Sequence, residues 1–155
     1  MRWVCLAAAA ALFAGPAAAW PGDPKPPRLT SNSWPEIKAW IDAHIDLDGW
    51  ITVNGVKQAY WFVSSVPTSA PDYPIVRDWV RVEHSDDGIV RSSLFRIEVD
   101  CADSRQRILE SYNYRDNNLR GPFRPMPHVK EELKATTSGS VMSSVVDAIC
   151  RGARR

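Results

Sequence analysis

The chain has 155 residues, 19 Lys+Arg against 18 Asp+Glu, and 45% hydrophobic residues. That length suits one domain with a modest core. The near-balanced charge removes the electrostatic reason to expect nucleic acid or an acidic membrane surface as a partner.

The first residues are Met1-Arg2-Trp3, then an apolar run from Val4 to Ala14, then Gly15-Pro16-Ala17-Ala18-Ala19. A basic start, a short apolar core and a small-residue exit make up a secretory signal peptide. Residues 1–19 are read as that peptide, with cleavage after Ala19. A membrane anchor is the rival, but spanning a bilayer takes about 20 apolar residues. Cys5 stands at the very start of the apolar run instead of following it, which argues against a lipid attached there. Cleavage leaves 155 less 19, or 136 residues, and removes Arg2, so 18 basic residues face 18 acidic ones. No second apolar run is long enough to span a bilayer, so the mature chain is expected not to be an integral membrane protein. The three cysteines become two, Cys101 and Cys150. An even count in an exported domain implies one bridge between them; the alternative is two buried free thiols.

Residues 20–32 are a proline-rich tether, and residues 33–155 a single domain closed by the bridge. Fixed φ angles and missing N–H donors keep the tether extended and outside any sheet. Ser33-Trp34-Pro35-Glu36 has capping-box spacing with a proline in the first turn. Trp34, Ile37, Trp40, Ile41 and Ile45 recur at helical steps, which predicts a short amphipathic helix over Trp34–His44. Its tryptophans form the core face or, alternatively, a carbohydrate platform.

Strands follow. Trp50–Val56 alternates Ile51 and Val53 with polar residues. Ala59–Val66 is aromatic and β-branched, the composition of a strand covered on both faces. Prolines at 67, 71 and 74 mark a long turn. Val76–Glu83 puts Val80 and Val82 on one face, and Trp79, Arg81 and Glu83 on the other. Ser85-Asp86-Asp87-Gly88 has hairpin-turn chemistry. Leu94–Cys101 alternates most clearly, placing Phe95, Ile97, Val99 and Cys101 together on the inner face. Arg107–Tyr114 is its expected partner. Asp116-Asn117-Asn118 and Gly121-Pro122 form a loop, and Pro125 and Pro127 exclude a central strand beyond it. Residues 130–135 are ambiguous. A terminal helix begins near Ser140, carries Val141, Val145 and Ile149 four apart, and holds Cys150 in its last turn, with Gly152 as its cap. The whole is an α+β domain: an antiparallel sheet of five or six strands with a C-terminal helix packed on it and a short N-terminal helix at its edge or end.

No phosphate loop, nucleophile elbow or Cys-x-x-Cys occurs. His44, His84 and His128 lie on separate elements, so neither a metal nor an organic cofactor is expected. His44, Asp46 and Asp48 read as a polar helix exit, and Asp86-Asp87 as a solvated turn. Ser64 and Ser65 have no neighbouring His and acid. An exported enzyme whose site assembles only in three dimensions is the alternative function; a pocket gathering His84 or His128 with carboxylates would mark it. Trp61 and Trp79 fall on strands, as core residues or as an exposed aromatic strip for a glycan or extended peptide. The 115–130 segment carries Arg115, Arg120, Arg124 and Lys130 against Asp116 alone, a basic patch suited to acidic protein segments or sulfated glycans. An ordinary solvated loop is the other reading.

Residues 50–150 resemble the surface-adhesin protein E-like family of Gram-negative bacteria. The shared features run in order: Trp50-Ile51-x-Val53; the aromatic strand Tyr60-Trp61-Phe62-Val63; Trp79-Val80-Arg81; Asp100-Cys101; then Arg107 and Tyr112; then Gly139-Ser140 before a helix ending in Cys150. The resemblance implies an antiparallel sheet backed by the C-terminal helix, secretion, and binding to host proteins in some members. The expected function is therefore an exported cell-envelope binding module whose partner is a host or envelope protein or a glycan. The Trp34–His44 helix is an addition ahead of the matching stretch.

Overall fold

A computed structural model describes residues 25–66, 72–126 and 132–153. The signal peptide and its cleavage site, the start of the tether, His128 and Lys130 lie outside the described residues.

The fold is α+β. Helix α1 (Trp34–His44) precedes six strands: β1 (Trp50–Val56), β2 (Ala59–Ser64), β3 (Ile75–His84), β4 (Ser92–Asp100), β5 (Arg105–Tyr114) and β6 (Phe123–Met126). The short β7 (Lys134–Ala135) and helix α2 (Val141–Ala153) complete the chain. The strands pair antiparallel in sequence order, β1 to β6, with β7 also on β5. Short connections of this kind cannot house the crossovers that parallel strands need. Pro125 is accommodated because β6 lies beside β5 on the outer side of the sheet. No helix among the described residues is long and apolar enough to cross a membrane.

Each sheet face has its own cover. α2 lies over one face, where Val63, Val76, Val80, Ile97, Val99, Val145, Val146, Ile149 and Cys150 form the main core. Ser140 starts the helix, its Oγ accepting from Ser143 N–H. Cys101 and Cys150 are bridged, with Cα atoms 5.7 Å apart, so the last turn of α2 is tied to the end of β4. On the other face α1 packs Ile37, Trp40, Ile41 and Ile45 onto Tyr60 and Phe62, covering the β2 side of the sheet.

Several local expectations are corrected. The Ser33 side chain makes no cap hydrogen bond. Ser31 Oγ instead accepts from Ser33 N–H, which is the donor a capping box leaves to the glutamate. Trp34 is exposed, because the cluster under α1 starts one turn later at Ile37. Gly152 does not cap α2: the helix continues through Ala153, and Gly152 is not among the positive-φ glycines. Ile51 is exposed although it stays in register with Val63 of the core, because it lines an open cleft between the outer strand and α2. The end of the proline-rich stretch also lies on the domain. Trp40 Nε1 donates to Pro27 O at 2.8 Å, Arg91 Nη2 to Pro26 O at 2.9 Å and Gln58 Nε2 to Leu29 O at 2.9 Å.

Candidate functional site

Among the described residues, the α1 face of the sheet is covered by α1 over β2 and by the Asn117–Asn118 stretch over the end of β3. Period-two alternation and the pairing register order what remains into rows across β3, β4, β5 and β6. Arg77 faces Glu98, which faces Arg107; Trp79 faces Arg96, which faces Glu110. Arg81 faces Leu94, which faces Tyr112 and then Pro125; Glu83 faces Ser92, then Tyr114 and Phe123. Among the described residues, Arg81, Glu83 and Glu98 are buried, while Trp79, Arg96, Glu110, Tyr112, Tyr114 and Phe123 keep part of their surface open.

The open part is an array of rings and paired charges. Trp79 and Tyr112 have ring centroids 6.4 Å apart, Tyr112 and Phe123 6.0 Å, and Tyr114 and Phe123 5.6 Å. Phe123 is 58% exposed. The Arg96 guanidinium lies over the Trp79 ring at 5.9 Å and donates to Glu110 at 2.9 Å. Tyr112 OH donates to the other Glu110 oxygen, also at 2.9 Å. Those two donors hold the Glu110 carboxyl below its ordinary value, and the same contact raises Tyr112. Arg77 and Arg107 both reach Glu98, at 2.8 and 2.6 Å. Burial opposes ionising Glu98, but the two arginines outweigh it and lower its pKa. The charges therefore hold fixed directions at neutral pH, and the rings lie among them. Stacking surfaces beside preset donors and acceptors suit a glycan ring or an extended peptide.

The buried end is a clasp. Arg81 is 3% exposed and Glu83 fully buried. Arg81 donates to Glu83 at 2.7 Å, to Asp46 O at 2.7 Å and to Asn118 Oδ1 at 2.8 Å, and it lies between the Trp50 and Phe62 rings. Glu83 also accepts from Asn117 Nδ2 and Asn118 N–H. Asn118 Nδ2 donates to His44 O, at the end of α1. The Asp116-Asn117-Asn118 stretch is thus an anchor between sheet and helix. Asn118 and Leu119 adopt positive φ, and Gly121 does so where any Cβ would meet the Asp116 carboxylate.

Through this anchor the clasp fixes the loop that carries the basic patch. Arg115 and Arg120 are exposed there, and Arg124 is exposed on β6. Arg124 opposes Asn113, whereas Phe123 opposes Tyr114, so alternation puts Arg124 on the α2 side and Phe123 on the open face. The arginines therefore rim the β5–β6 end rather than share one plane. Among the described residues no three His, Cys, Asp or Glu side chains converge as a metal site. A surface cleft of about 320 Å³ between β1 and α2 contains no histidine.

His84 has a partly buried ring. Burial lowers its pKa, opposed by Asp86 and reinforced by Arg91. The unfolded chain therefore takes up a proton that the folded one resists, and stability is lost as pH falls below about 6.5. Thermal unfolding at pH 7.5 and 5.5 is expected to show a lower Tm at pH 5.5, with a smaller difference in His84→Gln. An equal difference in that variant would place the titration elsewhere.

The chain matches a known family. The sequence model for surface-adhesin protein E matches residues 50–151, and the chain belongs to that family. Among solved structures it is similar to crystal form II of Haemophilus influenzae protein E, with a TM-score of 0.55 and 14% identity, over 69% of this chain and 91% of that one. At that identity the likeness shows the fold alone. No curated protein matches the sequence.

Proposed function

We propose that the chain is exported by residues 1–19 and that its mature domain is a cell-envelope binding module. The module recognises a protein or glycan partner through the open sheet face. The observation that carries this reading is the Trp79–Tyr112–Phe123–Tyr114 array with its fixed Arg96–Glu110 pair, left uncovered by both helices. Family membership supports a surface adhesin-like role without catalysis. Arg115, Arg120 and Arg124 supply positive charge at the rim and steer acidic partners, and Lys130 adds a further basic residue to the same segment of the sequence.

The test is a binding screen of the purified protein against envelope extract, host matrix proteins and a glycan array. A saturable partner is expected. Its affinity should fall as salt rises, because contacts between exposed charges are screened over about 8 Å at physiological ionic strength. It should fall further in an Arg120→Ala, Arg124→Ala variant with unchanged Tm. Affinity indifferent to both would remove the rim and leave the aromatic face as the determinant.

A further inference from the structure

On the opposite side of the molecule, β1 is the outer strand of the sheet. Among the described residues no strand pairs with its free side. Ser65 N–H donates to Gly49 O at 2.9 Å, so Gly49 and Ser65 are a hydrogen-bonded pair. Bonded and non-bonded pairs alternate along an antiparallel ladder. Ile51–Val63 is then bonded as well, while Trp50 and Thr52 turn their backbone groups away from β2. Trp50 fits this, since its N–H goes to Leu47 O. Further along, the register shift around Val53 and the Asn54 Oδ1 cap on Gly55 N–H close the edge. The open backbone is thus centred on Thr52.

That opening coincides with the cleft of about 320 Å³, lined by Ile51, Thr52, Val53, Ser144, Asp147, Ala148 and Arg151. Asn54 Nδ2 reaches Ser144 near the start of α2, while Ile51 and Arg151 line the cleft further on, so the helix runs antiparallel to β1. Asp147 and Arg151 are exposed and pair with no described residue. They stand one helical turn apart, about 6 Å along the axis. Side chains at i and i+2 of a strand repeat at about 6.7 Å on one face.

We propose that this cleft receives an extended peptide, added to β1 as a further antiparallel strand. Its backbone pairs with Thr52, and its residues i and i+2 face α2, a basic one at Asp147 followed by an acidic one at Arg151. Backbone groups aimed outward call for a partner with a matching backbone. The opposite charges on α2 set the peptide's direction, because a strand antiparallel to β1 runs parallel to α2.

The probe is a labelled peptide, Ac-Thr-Val-Lys-Val-Glu-Val-Thr-amide, titrated into the purified protein beside its Glu-Val-Lys counterpart. The Lys-first peptide is expected to bind roughly three- to tenfold more tightly, the scale of two exposed ion pairs. An Asp147→Arg, Arg151→Asp variant should reverse the preference. Thr52→Pro removes the outward donor at a position where a sheet tolerates proline, and should abolish binding. Should that variant misfold, N-methylating the peptide nitrogens that face β1 makes the same test on the unaltered protein. The proposal is overturned if neither peptide saturates, if order has no effect, or if N-methylation leaves affinity unchanged. Self-association that Thr52→Pro removes would assign the edge to a second copy of the chain and also overturn it.

Discussion

Replacing Cys101 with Ser is expected to cost about 4 kcal/mol, from the chain entropy of a loop whose ends are 49 residues apart. The cost is concentrated because of what the bridge joins. α2 contributes Val145, Val146, Ile149 and Cys150 to the main core, and among the described residues its apolar face has no other sheet to pack on. Without the bridge, helix and sheet must find each other across a free loop. Against a total stability of roughly 5–15 kcal/mol this is a large share. Urea titration of the oxidised protein and of Cys101→Ser should show it as a lower midpoint, with faster proteolysis of the variant. Alkylation of the native protein should find neither Cys101 nor Cys150 reactive. A midpoint unchanged by the substitution would mean that packing alone holds α2.

The second large effect is expected at the clasp. Arg81→Met leaves Glu83 buried with its closest charge partner gone, and breaking a buried pair from one side costs about 3–5 kcal/mol. Burial already raises the pKa of Glu83, against the pull of Arg81, Asn117 and Asn118. A folded pKa above the unfolded one means that Glu83 favours the fold at low pH and loses that contribution as pH rises through the folded value. The deficit of Arg81→Met should therefore be smaller at pH 4 than at pH 7. Adding Glu83→Leu should recover much of the loss, since the double variant buries no lone charge. Equal stability of the single and double variants would show that Glu83 is not under charge stress. The loss should also reach the 115–122 loop and the end of α1, which Asn118 joins.

The first five strands were legible from alternation or from β-rich composition, whereas β6 and β7 were not. Leu94–Cys101 and Trp50–Val56 gave their extents to within about two residues, and the Ser140 start and terminal Cys150 of the last helix were equally plain. Non-local cover was not legible. Trp79, Arg81 and Glu83 share one face by period two, and as sequence they read alike. Only the position of α1 and the Asn117–Asn118 turn buries the last two and leaves Trp79 open. Asn117 and Asn118 have turn composition and do serve a turn, but the side-chain partners that hold them lie at least 26 residues away. The Lys57–Gln58 turn of the first hairpin takes positive φ at both residues without a glycine. Gln58 is held there by Leu29 O, a contact that no local pattern announces. The basic patch was visible as composition, yet the alternation of Phe123 with Arg124 sends ring and charge to opposite faces.

The central assignment, recognition through the open sheet face, is tested most directly by mapping a bound partner. With a ligand from the binding screen, amide and indole resonances of the labelled protein are followed through a titration. Perturbations are expected to cluster at Trp79, Arg96, Tyr112, Tyr114 and Phe123, and a Tyr112→Ala, Phe123→Ala variant of unchanged fold should lose both the shifts and the binding. Shifts confined to β1 and α2, or full affinity in that variant, would contradict the assignment.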